Sequence, residues 1–203
     1  MLPHLFMKIV FSLAFFAYII FDTTKLFSFA NHAVVPLKIE VSGKLVITDA
    51  ENDTKAGENP TLNVLLGLTP DLNNNIVSGM SSIRIRTNMK TWKLTASRIE
   101  QNELGTEISP QDVNVKFITQ AGSKGNLNSA KLVSPFNEIT TLDKISTNTP
   151  IEILNGFDKT SLAKDPENKN NWFQLTAIYS VSPDFFYDIG NWDTTITYNL
   201  VSP

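Results

Sequence analysis

Cysteine is absent from this 203-residue chain, and histidine occurs only at His4 and His32. A chain with these gaps has no Cys-His pair and, with no histidine in its body, no Ser-His-Asp triad. The usual zinc ligand sets fail for the same reason. The nine glycines are scattered singly, so no glycine-rich phosphate loop is present. No cofactor is expected. Arginine is scarce, 3 residues against 14 lysines. Lacking disulfides, the protein must draw its stability from a packed core.

Long hydrophobic runs are also lacking, with one exception. MLPHLFMK supplies a cation, Lys8, and IVFSLAFFAYIIF follows as an apolar run of 13 residues from Ile9 to Phe21. After a polar break at Asp22–Lys25, the chain reads LFSFA, with small residues at Ser28 and Ala30. Charged start, short apolar centre and small residues define a secretory signal peptide, here residues 1–30. A membrane span would need about 20 apolar residues. No later segment reaches that length, so no transmembrane segment is expected after cleavage. Removing the leader lowers Lys plus Arg from 17 to 15 and Asp plus Glu from 20 to 19, a net charge of −4. An acidic body lacks the basic footprint of a nucleic-acid binder.

What is present is strand pattern. Period-two runs bounded by Asn, Asp, Gly, Ser and Pro recur along residues 31–203, which read as a single domain. LKIEVSGKLVIT, TLNVLLGL, SIRIRT, TWKLTAS, DVNVKFITQ, WFQLTAIYSV and NWDTTITYNLV are the clearest. SIRIRT and TWKLTAS are expected to form a hairpin around Asn88–Lys90. In DVNVKFITQ, Val113, Val115 and Phe117 share one face. About seven to ten such strands point to an all-β fold, an antiparallel β-sandwich of Ig-like or jelly-roll-like type. A small barrel is the alternative.

Candidate chemistry is sparse. Paired carboxylates for sugar hydrolysis remain conceivable, but no Asp or Glu pair ends an apolar strand, and a non-enzyme is expected. DAENDTKAGE offers Asp49, Glu51 and Asp53 as weak calcium ligands, though a solvated loop between strands is the better reading. In the expected hairpin, Arg84, Arg86 and Lys93 point away from the core, with Lys90 and Arg98 flanking. Such a basic face would suit an anionic wall polymer or sulfated glycan, and ordinary outward-facing charge is the plainer explanation. Trp92, Trp172 and Trp192 each begin a strand-like run and suit either core packing or sugar stacking.

Two patches carry more. Trp92-Lys93-Leu94 opens the stretch TWKLTAS, and Tyr198-Asn199-Leu200 lies within GNWDTTITYNLVSP. This arrangement resembles the WxL domain of Gram-positive bacterial surface proteins. There a Trp-x-Leu followed by Thr-Ala-Ser lies mid-domain. A glycine, an aromatic, a Thr-rich strand, a second Trp-x-Leu and a proline close the domain. Gly190, Trp192, Ile196, Leu200 and Pro203 fall where that pattern would put them, whereas Tyr198 stands where the family has tryptophan. The resemblance implies a secreted, extracellular β-sandwich held non-covalently at the cell wall. Its partners would be a cell-wall polymer or other surface proteins. Trp92, Leu94, Trp192, Tyr198 and Leu200 would then build the fold. The competing readings are a pilus- or fimbria-like subunit, with VVPLKIEV donated as a strand to a neighbour, and a carbohydrate-binding module.

Overall fold

The computed structural model describes residues 39–51, 53, 60–73, 75–100 and 107–203. The expected leader, residues 1–30, lies outside them. Residues 1–41 form a unit of their own, of which 39–41 are described and lack regular structure. Residues 42–203 form the other unit. Its described residues carry nine strands: β1 (Leu45–Asp49), β2 (Val77–Thr87), β3 (Trp92–Glu100), β4 (Asn114–Ala121), β5 (Ala130–Leu132), β6 (Thr140–Thr141), β7 (Ile151–Gly156), β8 (Phe173–Val181) and β9 (Thr194–Val201). Single 3-10 turns at Leu127–Ser129 and Leu142–Lys144 are the only helical pieces among the described residues.

The strands form two antiparallel sheets packed face to face, an all-β sandwich. One has the order β1-β2-β8-β4-β6 and the other β5-β7-β3-β9. Period two decides which side chains enter the core. In β2, Ile83 and Ile85 point in; β8 contributes Phe173, Leu175 and Ala177, and β4 contributes Val115 and Phe117, preceded by Val113. Facing them, β3 supplies Trp92, Leu94 and Ala96, and β7 supplies Ile153 and Leu154. An edge-to-face ring pair ties the layers, Trp92 to Phe173 at 6.1 Å, and Phe117 packs edge-to-face at 5.8 Å on Phe136 of the β5–β6 connection.

The expected hairpin does not form. β2 pairs with β1 and β8, whereas β3 pairs with β7 and β9. Residues 88–91 therefore carry the chain from one sheet to the other. Ile83 and Ile85 thus enter the core from one sheet, and Trp92 and Leu94 from the other. Thr160 fixes the crossing, since its hydroxyl accepts the Thr87 N–H at 2.9 Å and its own N–H donates to the Thr87 carbonyl at 3.0 Å.

Thr61–Leu68 is a second departure. Its alternation is strand-like, with Leu62, Val64, Leu66 and Leu68 packed against the core and Leu65 exposed. Yet among the described residues no backbone hydrogen bond laces it to either sheet. It lies over the inner face of β2, where a Cβ on Gly79 would come within 2.7 Å of Val64 and 2.8 Å of Leu66. The segment fills the core in place of a side chain at 79.

Strand directions give the sandwich two ends. At the base lie Thr87, Trp92, Gly156, Phe173 and Val201; at the tip lie Val77, Asn114, Val181 and Thr194.

Candidate functional site

Arg84 and Arg86 alternate with Ile83 and Ile85 and so project from the outer face of the first sheet. Lys93 alternates with Trp92 and Leu94 and projects from the outer face of the second. The three cations expected on one face thus stand on opposite sides of the molecule. Lys93 is paired with Glu152 on β7, Nζ to Oε2 2.6 Å. Arg98 shares the parity of Trp92, Leu94 and Ala96 and is buried, its Nε donating to the Ile145 carbonyl at 3.2 Å.

Arg86 is occupied on every edge of its guanidinium. Nη1 and Nη2 donate to the two oxygens of Asp53 at 2.8 and 2.7 Å. Nη1 also reaches Thr48 Oγ1 at 3.2 Å, and Nε reaches the Asn168 carbonyl at 3.0 Å and Asn171 Oδ1 at 3.2 Å. This two-point geometry is the strong form of a charge-assisted pair. It holds Asp53 in a left-handed backbone conformation, φ 46°. Burial raises the Asp53 pKa, but the hydrogen bonds from Arg86 and Thr48 and the nearby arginine charges outweigh it. The carboxyl stays below its ordinary 3.8.

Asp53 is therefore a clamp on the β1–β2 connection. Asp49 accepts the Glu51 N–H at 2.9 Å within the same turn, and Glu51 is exposed. Among the described residues, no three of His, Asp and Glu are grouped to hold a metal ion.

Arg84 is freer. Its guanidinium carbon lies 4.4 Å above the Trp172 ring, Nε is 3.4 Å from Gln174 Oε1, and Nη1 is 3.8 Å from Asp53. Trp172 is half-buried and anchored by its indole N–H to the Lys169 carbonyl at 3.0 Å. Arg84 and Trp172 form a cation–π ledge on the outer face. The pairing needs the long loop before β8 to fold back over β2, which no local pattern announces. Only the placement of Trp172 just before a strand hinted at it.

The other aromatic candidates divide. Trp92 is fully buried, donates its indole N–H to the Asp158 carbonyl at 2.8 Å and lies flat on Gly156. Trp192 is half-buried against the core. Tyr198 faces inward, its hydroxyl 3.4 Å from that of Tyr179. Burial, followed by the neighbouring Tyr179, pushes its pKa well above 10.0.

The two motif patches meet. β3 and β9 are neighbours, with Leu94 opposite Leu200 and Ala96 opposite Tyr198. The gap between Tyr198 and Ser81, Ile83, Leu175 and Ala177 has no room for a water molecule. No helix among the described residues is long and apolar enough to cross a membrane. Residues 34–38 of the strand-donor candidate VVPLKIEV lie outside the described residues. No protein-family model matches the chain, and no curated protein matches it.

Proposed function

We propose that the protein is an exported, non-enzymatic surface protein that binds the bacterial cell wall, or a complex on it, non-covalently through its β-sandwich. One observation carries this reading. The patches that resemble a WxL domain, far apart in sequence, lie on paired strands with Leu94 against Leu200 and Ala96 against Tyr198. Their pairing supports the resemblance by placing both patches in one sheet. In this reading Trp92, Leu94, Tyr198 and Leu200 build the sheet, and recognition falls to outward groups. The Arg84–Trp172 ledge is the best placed of these, offering a cation and an aromatic edge to a wall glycan. Arg86 supports it by holding Asp53, which Arg84 also approaches. The absence of cysteine, and of any histidine beyond His32, supports the non-enzymatic part.

The test is co-sedimentation of the chain from Asn31 onward with purified peptidoglycan sacculi at physiological salt. The expected result is binding that weakens at least tenfold in Arg84→Ala/Trp172→Ala. A wild-type chain that stays in the supernatant overturns the wall assignment. N-terminal sequencing of the exported protein should begin at Asn31; a product retaining residues 1–30 overturns the cleaved leader.

A further inference from the structure

The two ends of the sandwich carry opposite charge. Base segments 42–44, 88–91, 122–131 and 157–172 hold seven lysines against three acids, Asp158, Asp165 and Glu167. Tip loops 69–76, 107–113, 142–150 and 182–193 hold seven acids against one lysine, Lys144. From Asn170 to Pro203 there is no cation at all, and the three aspartates in that stretch, Asp184, Asp188 and Asp193, all fall in the β8–β9 loop.

Each end also bears apolar side chains that the fold leaves outside. At the tip, Phe185 and Phe186 are about 70% exposed and Ile189 wholly so. Their loop is built to present them. Asp184 Oδ1 accepts the Phe186 N–H at 2.8 Å, and the Asp184 carbonyl accepts the Tyr187 N–H at 3.3 Å. Pro183 is buried, and Tyr187 and Trp192 are packed on the core, so the knob is held on both flanks.

At the base, Leu127, Phe157 and Leu162 are exposed. Backbone hydrogen bonds from Phe157 to Ser129 and from Leu162 to Lys124 gather them on one surface. Lysines edge it: Lys131 Nζ lies 5.8 Å from the Phe157 ring, and Lys159 is exposed beside it.

We infer that the acidic, aromatic tip of one molecule docks on the basic, apolar base of a second copy, giving head-to-tail association. Charge complementarity selects this occupant. An acidic tip is repelled by an anionic polymer, an anionic bilayer or another tip, and this chain's own base supplies the opposite sign around matching apolar side chains. Because the two surfaces differ and lie at opposite ends, the contact is heterologous and does not close on itself as a twofold dimer does. It produces linear oligomers. Aromatic anchors set in a charged rim are the usual arrangement of an interface hot spot. The inference does not rest on the wall-binding assignment and holds whether or not sacculi are bound.

The test is sedimentation velocity on the chain from Asn31 onward, which contains the whole sandwich. It is run across protein concentration at low salt and at about 0.5 M salt, where screening shortens to a few Å. Wild type should form a concentration-dependent series of oligomers that salt dissociates. Asp184→Lys/Asp188→Lys at the tip and Lys131→Glu/Lys159→Glu at the base should each weaken self-association at least tenfold alone. Mixed together, they should associate again, because each retains the partner surface the other lost. Phe185→Ser/Phe186→Ser should weaken assembly at all salt concentrations. All these side chains are exposed, so matching circular dichroism and melting curves verify that the variants fold. Three outcomes overturn the inference: a monomeric wild type at low salt up to about 1 mM, a base variant that associates like wild type, or a mixture that stays monomeric. Wild-type monomers that float with zwitterionic phosphatidylcholine vesicles would assign the knob to a membrane instead.

Discussion

Gly156→Ala should destabilise the protein, although the same exchange commonly stabilises by about 0.4–1 kcal/mol where the backbone is permissive. Gly156 ends β7 opposite Trp92, with a buried position and no left-handed backbone to explain a glycine. A Cβ there would lie 2.2 Å from two carbons of the Trp92 ring and 2.5 Å from Nε1. The indole cannot retreat freely. It is fully buried, packed edge-on to Phe173 and fixed by its N–H to the Asp158 carbonyl. Forcing a methyl into such a core costs about 1–3 kcal/mol. Displacing the indole weakens a hydrogen bond worth about 1 kcal/mol. The sum, about 2–4 kcal/mol, lowers the Tm by roughly 5–15 °C in a domain of this size. Urea denaturation followed by far-ultraviolet circular dichroism measures it without relying on tryptophan emission. The decisive control is the double-mutant cycle. Trp92→Ala alone costs about 3–5 kcal/mol, and in that background Gly156→Ala should cost almost nothing. A Gly156→Ala loss below about 0.5 kcal/mol, or the same loss with and without Trp92, would refute the steric account.

Two further expectations concern titration. Asp53 has a lowered folded pKa, so its contribution is present above the unfolded value and lost as pH falls through the folded one. Asp53→Asn should therefore cost about 1 kcal/mol or less at pH 7, given partial solvent screening, and progressively less as pH falls through the folded pKa; a loss that does not shrink as the pH is lowered would contradict the clamp. Tyr198 has a raised folded pKa, so its neutral form is favoured and stability should decline as pH rises above about 10. Tyr198→Phe should flatten that decline in alkaline urea titrations, and an unchanged slope would show that its hydroxyl is not buried.

The sandwich was legible because side-chain parity survives folding. Val113, Val115 and Phe117 read as one face and are buried together, and the same parity places Trp92, Leu94 and Ala96 inward. Sheet membership was not legible. Asn88–Thr91 has turn chemistry that serves a hairpin and a sheet-to-sheet crossing equally, and Thr160, which fixes the crossing, lies 73 residues away. Arg98 follows parity against its charge. Its even spacing from Trp92 puts it inside, and charge alone argued for the surface. The clamp of Asp53 on Arg86 spans 33 residues of sequence. Local pattern offered only a polar loop and an alternating cation, with nothing to say that one closes on the other. In the same way, the motif patches were visible separately, and only the register of β9 on β3 shows them to be a single surface.

The unlaced run Thr61–Leu68 gives the sandwich a seam. Four of its side chains pack, partly buried, against the core, yet among the described residues no ladder bond must break for it to lift away. Protection of its amides from exchange is thus uncoupled from burial of its side chains, and it belongs to the first part of the molecule to open. Once it lifts, the inner face around Gly79 is wetted. So is the half of β2 that β1 does not cover, since β1 meets only Ile83–Thr87. Heat or denaturant should enter the core there, while the β3–β9 pair at the other side of the core stays intact.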